Sequence, residues 1–250
     1  MAIAYEFLLE LELLRDRVDS FDHYPLCLPV VRHLERLKFH PRVTFLVGEN
    51  GSGKSTLLEA IAVALGYNAE GGSMNFQFET RKSHSILHDY LRIAKGVRRP
   101  SDGFFLRAES FYNAATYLER LDAEDSNSPP LINSYGGVSL HEQSHGESFL
   151  ALITNRFRGR GLYLLDEPEA ALSPQRQLTV LARIHELACQ ESQFVIATHS
   201  PILLALPQAT IYECSDRGLM AVRYEDTQHY RVSRAFLEAP ERMLRELLRS

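Results

Sequence analysis

The sequence predicts an α/β fold in which strands and helices alternate around a mostly parallel sheet. Three observations support this class. Short runs rich in β-branched and aromatic residues recur along the chain, amphipathic helical segments separate them, and a glycine-rich loop joins one such run directly to a helix. This alternation is typical of parallel strands linked by crossover helices. The 250 residues suffice for one large core, and we expect a single domain.

The first part of the chain is predicted to contain two strands and a helix. Residues 3–14 form the first strand, and the prolines within 20–42 indicate turns. The VTFLV run at 43–47 is rich in β-branched and aromatic residues, as expected for a buried strand. Apolar residues at helical spacing follow in STLLEAIAVALG, and Gly66 suits the end of that helix.

The middle of the chain, from about residue 68 to residue 137, has a different character. It contains polar clusters, a basic segment (RKSHSILHDYLRIAKGVRR) and a second polar stretch, EDSNSPPLINSYGG. Between them, GFFLRAE predicts a strand and SFYNAATYLERL predicts a helix. We interpret the whole region as a largely helical lobe that is inserted into the domain.

Regular alternation of helices and strands returns after residue 137. The predicted order is a helix in ESFLALITNRF, a buried strand in GLYLLDEPE, a helix in SPQRQLTVLARIHELACQ, a buried strand in QFVIATHSP, a hairpin in ATIYEC and GLMAVRYED, and a terminal helix over about 236–250. The sheet is therefore expected to take strands from both sides of the inserted lobe.

Residues 48–55 read GENGSGKS and match the phosphate-binding pattern G-x-x-x-x-G-K-[ST]. The glycines allow backbone N–H groups to surround an anion, Lys54 adds a positive charge, and the Ser55 hydroxyl is a ligand for Mg²⁺. The strand before the loop and the helix after it are the context that this motif requires. The predicted nucleotide-binding residues here are Gly48, Asn50, Gly51, Ser52, Gly53, Lys54, Ser55 and Thr56.

Three further segments carry residues that are suited to phosphate chemistry. LYLLDEPE ends in Asp166, which is placed to hold Mg²⁺, and in Glu167, which can polarise the attacking water. VIATHSP ends in His199, which can contact a terminal phosphate or the water. In QSHGES, Ser144 and Gly146 precede a helix and offer a hydroxyl and N–H groups as a second anion site.

In this order, GENGSGKS, QSHGE, LYLLDEPEAALS and ATHSP resemble the motifs of ABC-type ATPases over nearly the whole chain. The ENGSGKSTLLEAI and THSP wordings are most similar to the non-transporter branch, which includes the structural-maintenance-of-chromosomes, RecF-type and OLD-type ATPases. Within that branch the chain looks most like the small stand-alone ATPases. The resemblance implies a P-loop NTPase fold with a RecA-like lobe at about 1–67 and 138–235. It also implies ATP hydrolysis, with ATP and Mg²⁺ as ligands.

The resemblance further implies a head-to-tail homodimer that encloses two ATP molecules. Each nucleotide would lie between the P-loop of one subunit and Ser144 and Gly146 of the other, and the loop 170–173 would face the same interface. The implied catalytic residues are Lys54, Glu167 and His199, and the implied Mg²⁺ ligands are Ser55, Asp166 and Glu109.

The chain departs from the family pattern at several positions. His145 replaces the first glycine of the signature, and Ser173 replaces an aspartate in the loop after the acids. Glu109 stands where a glutamine is expected after the strand that enters the helical lobe, and Gln77 is the competing candidate. These departures bear on turnover more than on ATP binding. The candidates for stacking on adenine are Tyr24 and Phe21, for which packing in the core or a loop is the alternative.

Composition limits the classes of partner and compartment. The formal net charge of −5 and the pI of about 6.1 give no global signal for nucleic acid. The basic segment between Arg81 and Arg99 is either a contact for a nucleic-acid backbone or a solvated helix face. Three widely spaced cysteines indicate reduced thiols, and no apolar run is long enough to span a bilayer. We expect a cytoplasmic protein without membrane insertion.

The sequence leaves three biological roles open. The first is DNA maintenance, repair or phage defence, in which a nuclease or other effector would be a separate protein. The second is the motor of a membrane transporter, which would need a membrane partner at the helical lobe. The third is a nucleotide-dependent dimerisation switch with slow hydrolysis. The branch resemblance favours the first role.

Overall fold

The computed structural model describes residues 6–73, 85–107 and 145–248. The strands in these ranges are β1 (Leu8–Leu13), β2 (Arg36–Lys38), β3 (Val43–Gly48), β4 (Leu91–Lys95), β5 (Asp102–Arg107), β6 (Gly161–Asp166), β7 (Gln193–Ala197), β8 (Ala209–Ser215) and β9 (Gly218–Val222). The helices are α1 (Pro29–Arg32), α2 (Lys54–Leu65), α3 (His145–Ala151, continued by a π-helical turn over Leu152–Arg156), α4 (Pro174–Cys189), α5 (Pro201–Leu204), α6 (Gln228–Glu238) and α7 (Pro240–Leu247).

The larger sheet has six strands in the order β5-β6-β7-β3-β8-β9. All neighbouring strands pair in parallel except β8 and β9, which form the predicted hairpin. Strands β3 and β6 are buried along their full length, as expected where helices cover both faces of a sheet. Alternate residues of β3 enter two different cores: Phe45 packs with residues of α3 and α4, and Leu46 packs with residues of α2. The predicted α/β fold of the P-loop NTPase class is confirmed.

The register of the larger sheet places the carboxyl ends of three strands side by side. Leu46 of β3 pairs with Ala197 of β7, and Ala197 pairs with Asp166 of β6. The glycine-rich loop after β3, the acids after β6 and the residues after β7 therefore lie at one edge of the sheet. Ligands bind at this edge in open α/β sheets.

The region predicted to be a helical lobe contributes strands to both sheets. Leu91–Lys95 forms β4 beside β1 in a smaller sheet, ordered β2-β1-β4, and Asp102–Arg107 forms β5 at the margin of the larger one. The strand predicted in GFFLRAE is thus present, but it belongs to the main sheet. The predicted start of the helical insert near residue 68 is therefore wrong for 91–107, which contain these two strands. The remainder of that region, 74–84 and 108–137, lies outside the described residues.

The basic character of β4 explains why it was not predicted as a strand. Its burial alternates at Leu91, Arg92 and Ile93, but the exposed positions carry charges that resemble a solvated helix face. Arg92 faces Glu12 of β1 directly across the sheet and bonds to its carboxylate. A cross-strand ion pair of this kind supports an antiparallel pairing.

The C-terminal part contains two helices where one was predicted over 236–250. Helix α6 begins after Thr227, whose side chain accepts a hydrogen bond from the N–H of Tyr230. Ala239 leaves the helical conformation, and Pro240 occupies the first turn of α7. The terminal helix therefore starts at Pro240, and α6 is an additional element. Among the described residues, no helix combines the length and apolar character needed to cross a membrane.

Candidate functional site

The glycine-rich loop joins β3 to α2 and packs against α1. Gly53 has a φ of +96°, in the left-handed region, and a Cβ here would lie 2.5 Å from Cγ1 of Val30. Only glycine satisfies both conditions without strain. The N–H of Ser52 donates to the carbonyl oxygen of Glu49 at 3.2 Å and closes the turn. The loop thus leads directly into the N-terminus of a twelve-residue helix, a geometry that favours phosphate binding.

Lys54 is buried at the base of this loop. Its Nζ donates to the carbonyl oxygens of Gly48 at 2.8 Å and Glu49 at 2.9 Å. Burial lowers the pKa of Lys54, and the nearby Glu167 and Asp166 carboxylates oppose that shift. The Oγ of Ser52 is also buried and has no hydrogen-bond partner among the described residues. A buried cation and an unpaired hydroxyl in one loop suit an anionic ligand.

Ser55 and Asp166 meet as the Mg²⁺ prediction requires. Ser55 Oγ donates to Asp166 Oδ1 at 2.8 Å, which joins the first turn of α2 to the end of β6. Hydroxyl and carboxylate oxygens are the ligands that Mg²⁺ prefers, and one or two carboxylates usually suffice when substrate phosphates complete the shell. Accordingly, no group of three or more His, Cys, Asp and Glu side chains forms a metal centre within the described ranges. The residues present therefore fit Mg²⁺.

Arg107 is a neighbour of Asp166 that the sequence reasoning missed. It ends β5, in register with Asp166, and its Nε lies 3.8 Å from Asp166 Oδ2. Its NH1 donates to Glu59 Oε2 of α2 at 2.7 Å. The aspartate is thus held between a hydroxyl and a guanidinium, both of which favour its ionised form.

Glu167 and His199 face each other beside the loop. The Oε1 of Glu167 lies 3.4 Å from Nε2 of His199. Glu167 itself has a φ of +51°, and its N–H donates to the carbonyl oxygen of Ala197, so the turn after β6 is tied to the end of β7. The Glu167 side chain is 40% exposed, which leaves the carboxylate accessible to water.

Two further side chains fix the position of His199. Glu169 Oε1 accepts a hydrogen bond from the His199 N–H at 2.6 Å, and His229 Nε2 lies 3.1 Å from His199 Nδ1. Burial, followed by the charge of Lys54, lowers the pKa of His199. Burial raises the pKa of Glu169. The histidine is consequently neutral near pH 7, when the usual pKa is about 6.5.

A cavity of about 200 Å³ lies beside the glycine-rich loop and Glu167. Its lining residues are Tyr24, Leu28, Asn50, Gly51, Gly53, Lys54, Ser55, Thr56 and Glu167. Tyr24 is 64% exposed, and its hydroxyl lies 3.3 Å from Thr56 Oγ1. Phe21 is instead partly buried against the core, with the Arg15 guanidinium 4.5 Å from its ring centroid. Of the two aromatic candidates, the structure brings Tyr24 to the loop.

Gly146 lies in the first turn of α3 and packs against the loop 170–173. A Cβ at Gly146 would lie 2.4 Å from the carbonyl oxygen of Ala171. Ser173 caps α4 by accepting a hydrogen bond from the N–H of Arg176 at 3.4 Å, which gives a structural reason for serine at this position. The predicted site residues Ser144 and Glu109, together with the alternative Gln77, lie outside the described residues.

Sequence reasoning missed Arg107, Glu169 and His229. The repeated acid in DEPE was a signal for Glu169 that motif matching did not use. Arg107 and His229 come from elements whose place in the fold was wrongly predicted or not predicted at all. Neither residue carries a local sequence signal.

Two family models match the chain. One is described as an AAA domain and matches residues 23–129. The other is an AAA domain whose description refers to an AbiEii toxin of a type IV toxin–antitoxin system, and it matches residues 106–205. The first range contains the glycine-rich loop, and the second contains both later strand ends of the candidate site.

Three curated relatives are between 25% and 28% identical to this chain over the aligned residues. The ribose import ATP-binding protein RbsA of Shigella dysenteriae is 28% identical over 192 residues, which cover 69% of this chain and 35% of that protein. An uncharacterised ABC transporter ATP-binding protein of Haemophilus influenzae is 25% identical, with 69% of each chain covered. Structural maintenance of chromosomes protein 6 of Schizosaccharomyces pombe is 27% identical over 105 residues, which cover 42% of this chain and 9% of that one. The match therefore spans about a third of the ribose import relative.

Of two solved structures compared with this chain, one shows a similar fold, at a TM-score of 0.50. The structure of a metal-chelate type ABC transporter in an inward-facing conformation gives a TM-score of 0.50 at 18% identity, with 91% of this chain and 88% of that chain covered. The SMC head domain of Thermotoga maritima gives a TM-score of 0.43 at 16% identity, with 87% and 98% covered.

Proposed function

We propose that the chain is an ATPase domain of the ABC/AAA kind and that it hydrolyses Mg-ATP at the edge of the sheet where β3, β6 and β7 end. One observation carries the proposal: Ser55, which is bonded to Asp166, and Glu167, which lies against His199, both line one cavity beside the glycine-rich loop. Phosphoryl transfer depends on positioning and on electrostatic stabilisation, and these groups supply both.

The P-loop and Asp166 would bind the nucleotide. Backbone N–H groups of Gly51–Thr56 surround the β-phosphate, and Lys54 leaves its two carbonyl partners to contact the β- and γ-phosphates. Ser55 and Asp166 would hold Mg²⁺, which would supply neutralisation of the negative charge of the nucleotide. Tyr24, exposed beside Thr56, offers its ring to the adenine.

Glu167 and His199 would act on the attacking water and the γ-phosphate. Glu167 is partly exposed, so its carboxylate can accept a proton from a water that enters the cavity. The Nε2 of His199 then contacts the transferring phosphoryl group from the same side. Glu167→Gln keeps the shape of this arrangement but removes the base, so it is expected to bind ATP and to abolish hydrolysis.

We place the second half of the site on another copy of the chain. Gly146 packs tightly against Ala171, so the N-terminus of α3 and the loop 170–173 form one rigid surface. This surface would close over the γ-phosphate bound by the partner, in a head-to-tail dimer with two nucleotides. Glu167→Gln with ATP is expected to elute as a dimer in gel filtration, whereas the same protein with ADP elutes as a monomer.

For the cellular role we propose DNA maintenance or phage defence. The observation that favours it is a basic loop at 96–101, between β4 and β5. Two cavities, of about 460 and 540 Å³, are lined there by Arg98 and Arg99, and Arg160 also lines the smaller one. The guanidinium of Arg98 lies 3.4 Å from the carboxylate of Glu191. The loop precedes Asp102, whereas Arg107 at the other end of β5 lies beside Asp166, so the loop is at the sheet edge opposite the nucleotide. Clustered arginines of this kind suit a phosphate backbone.

The similarity to ribose import ATP-binding proteins favours a second candidate, the motor of a transporter. A transporter motor would co-purify with a membrane protein and would ignore DNA. A third hypothesis is a dimerisation switch with slow turnover, which is consistent with His145 in place of the first glycine of the signature. It predicts that neither DNA nor a membrane protein changes the rate of ATP hydrolysis.

The deciding experiment is steady-state ATP hydrolysis with and without double-stranded DNA. Three proteins are compared after the same purification: the unaltered chain, Glu167→Gln as the variant without the assigned catalytic base, and Arg98→Ala/Arg99→Ala as the loop variant. DNA stimulation that is lost in the loop variant supports the proposed role. A basal rate that persists in Glu167→Gln would overturn the catalytic assignment. A rate that DNA leaves unchanged would overturn the DNA role and leave the ATPase assignment standing.

A further inference from the structure

Helix α6 brings a second imidazole into contact with His199. His229 Nε2 lies 3.1 Å from His199 Nδ1, and the opposite nitrogen of His199 lies 3.4 Å from Glu167 Oε1. His229 Nδ1 and His199 Nε2 are both buried, and neither has a hydrogen-bond partner among the described residues. The three side chains therefore form a chain from α6 through His199 to Glu167.

The position of His229 is set by the first turn of α6. Thr227 is fully buried and caps this turn, and its hydroxyl donates to the carbonyl oxygen of Tyr224. Gln228 bonds through its N–H to Glu213 and through its amide to Glu49 of the glycine-rich loop. The helix start is thus anchored to both β8 and the P-loop, and His229 has little freedom to move.

When two neutral imidazoles form a hydrogen bond, only one of the two facing nitrogens carries a proton, and the other accepts it. Burial, followed by the charge of Lys54, lowers the pKa of both rings, so both are neutral at pH 7. If His199 Nδ1 carried that proton, its bare Nε2 would face the Glu167 carboxylate, and two acceptors would oppose each other. If His229 Nε2 carries it, the proton on His199 Nε2 faces the Glu167 carboxylate 3.4 Å away, which is electrostatically favourable although the contact is not a hydrogen bond, and His229 Nδ1 is left as an acceptor without a partner among the described residues.

We infer that His229 donates its Nε2–H to His199 Nδ1 and so holds His199 in the tautomer that carries its proton on Nε2. His229 is a positioning residue: it touches neither Glu167 nor the P-loop, and it acts through His199. The hydrogen bond from the second nitrogen of a histidine commonly sets which nitrogen is protonated. This inference rests on the proposed function for one point only, that the Nε2–H of His199 also meets the γ-phosphate.

The inference makes the C-terminal helix part of the site. The strands and the P-loop supply the reacting groups, but the proton on His199 is placed by an element that follows the last strand of the sheet. A donor at position 229 is required, whereas an acceptor there would invert the tautomer.

The test reads the tautomer directly in the full chain. Long-range ¹H–¹⁵N spectra distinguish a protonated Nε2 from a protonated Nδ1, and His199→Gln identifies the His199 signals by their loss. The expected result is a single His199 species that is protonated on Nε2. A His199 that is protonated on Nδ1 would overturn the inference. Since the spectra need no turnover, a chain without ATPase activity would refute the proposed function while this result still decided the role of His229.

Matched variants separate a donor from a space-filling group. His229→Leu fills the site but cannot donate, and it is expected to populate both His199 tautomers. It should lower kcat by about 10- to 100-fold with little change in KM for ATP, since only the chemical step uses this proton. His229→Gln keeps an N–H donor and should recover most of the rate. The control is Val232→Ala, an exposed position of the same helix. Unchanged tautomer and kcat in a folded His229→Leu protein would overturn the inference, as would equal losses in the leucine and glutamine variants.

Discussion

Substitution of Gly53 by alanine tests how tightly the loop is built. Two separate costs are expected. An alanine at a φ of +96° is in the left-handed region, which costs about 1–2 kcal/mol relative to glycine. Its Cβ would also meet Cγ1 of Val30 at 2.5 Å, and overpacking of a core contact adds about 1–3 kcal/mol. The free energy of unfolding should therefore fall by about 2–5 kcal/mol, if the two costs add.

Gly51 provides the matched control for this substitution. Its φ of +79° is equally left-handed, but a Cβ there has no heavy atom within 4 Å. Gly51→Ala should consequently cost only the conformational part, about 1–2 kcal/mol. The difference between the two variants isolates the contact with Val30. A Val30→Ala change in the Gly53→Ala background removes that contact, so the pair should show favourable coupling of about 1–3 kcal/mol.

The assay is urea unfolding of the unaltered chain, Gly51→Ala, Gly53→Ala, Val30→Ala and the Val30→Ala/Gly53→Ala double variant, each with and without a non-hydrolysable ATP analogue. At about 100 times its Kd, the analogue should stabilise the unaltered chain by about 2.7 kcal/mol. Gly53→Ala should lose most of this stabilisation, because the displaced loop no longer presents its N–H groups. Equal destabilisation by the Gly51 and Gly53 substitutions, or no coupling with Val30, would refute the reasoning.

Three other predictions follow from single side chains. Asp166→Asn should retain nucleotide binding in the absence of metal but lose the increase in affinity that Mg²⁺ gives, as calorimetry would show; an undiminished Mg²⁺ effect would argue against Asp166 as a ligand. Tyr24→Leu should raise KM for ATP by several fold, whereas Tyr24→Phe keeps the ring and should not; equal effects would exclude stacking. Burial lowers the pKa of His40, whose Nδ1 accepts N–H bonds from Arg42 and Val43, so its contribution to stability is present above pH about 6.5 and is lost as pH falls below it. His40→Asn should reduce that acid-side loss in unfolding measured from pH 7 to 5, and an unchanged pH dependence would contradict this.

The parts of the fold that the sequence predicted are those with strong local signals. The run at 43–47 is rich in β-branched and aromatic residues and contains no charged residue, so its burial could be predicted without knowledge of its neighbours. The loop motif and the helix after it are contiguous, and the acids after β6 and the histidine after β7 follow similar apolar runs. Because parallel strands end at a common edge, these separate signals were enough to bring Lys54, Asp166 and His199 together.

The parts that were missed depend on contacts between distant segments. Strand β4 is specified by its pairing with β1, where Arg92 meets Glu12, and its own residues resemble a charged helix face. Arg107 reaches Asp166 only because β5 enters the main sheet, which the predicted helical lobe excluded. His229 reaches His199 only because Thr227 and Gln228 anchor the start of α6. In each case the residue that makes the contact is distant in the sequence, so local secondary-structure propensity does not predict the contact.

The contacts from Arg107 and His229, which lie outside the motifs, affect the protonation and position of the motif residues. Lys54, Asp166, Glu167 and His199 would be present in any chain with these four motifs, but their protonation is set by their surroundings. Asp166 lies between the Ser55 hydroxyl, which donates to it, and the Arg107 guanidinium. His199 is held neutral by burial and by the charge of Lys54, and the donor on α6 selects its tautomer. A variant of α6 is therefore expected to change the rate of hydrolysis without changing any residue of the recognised motifs.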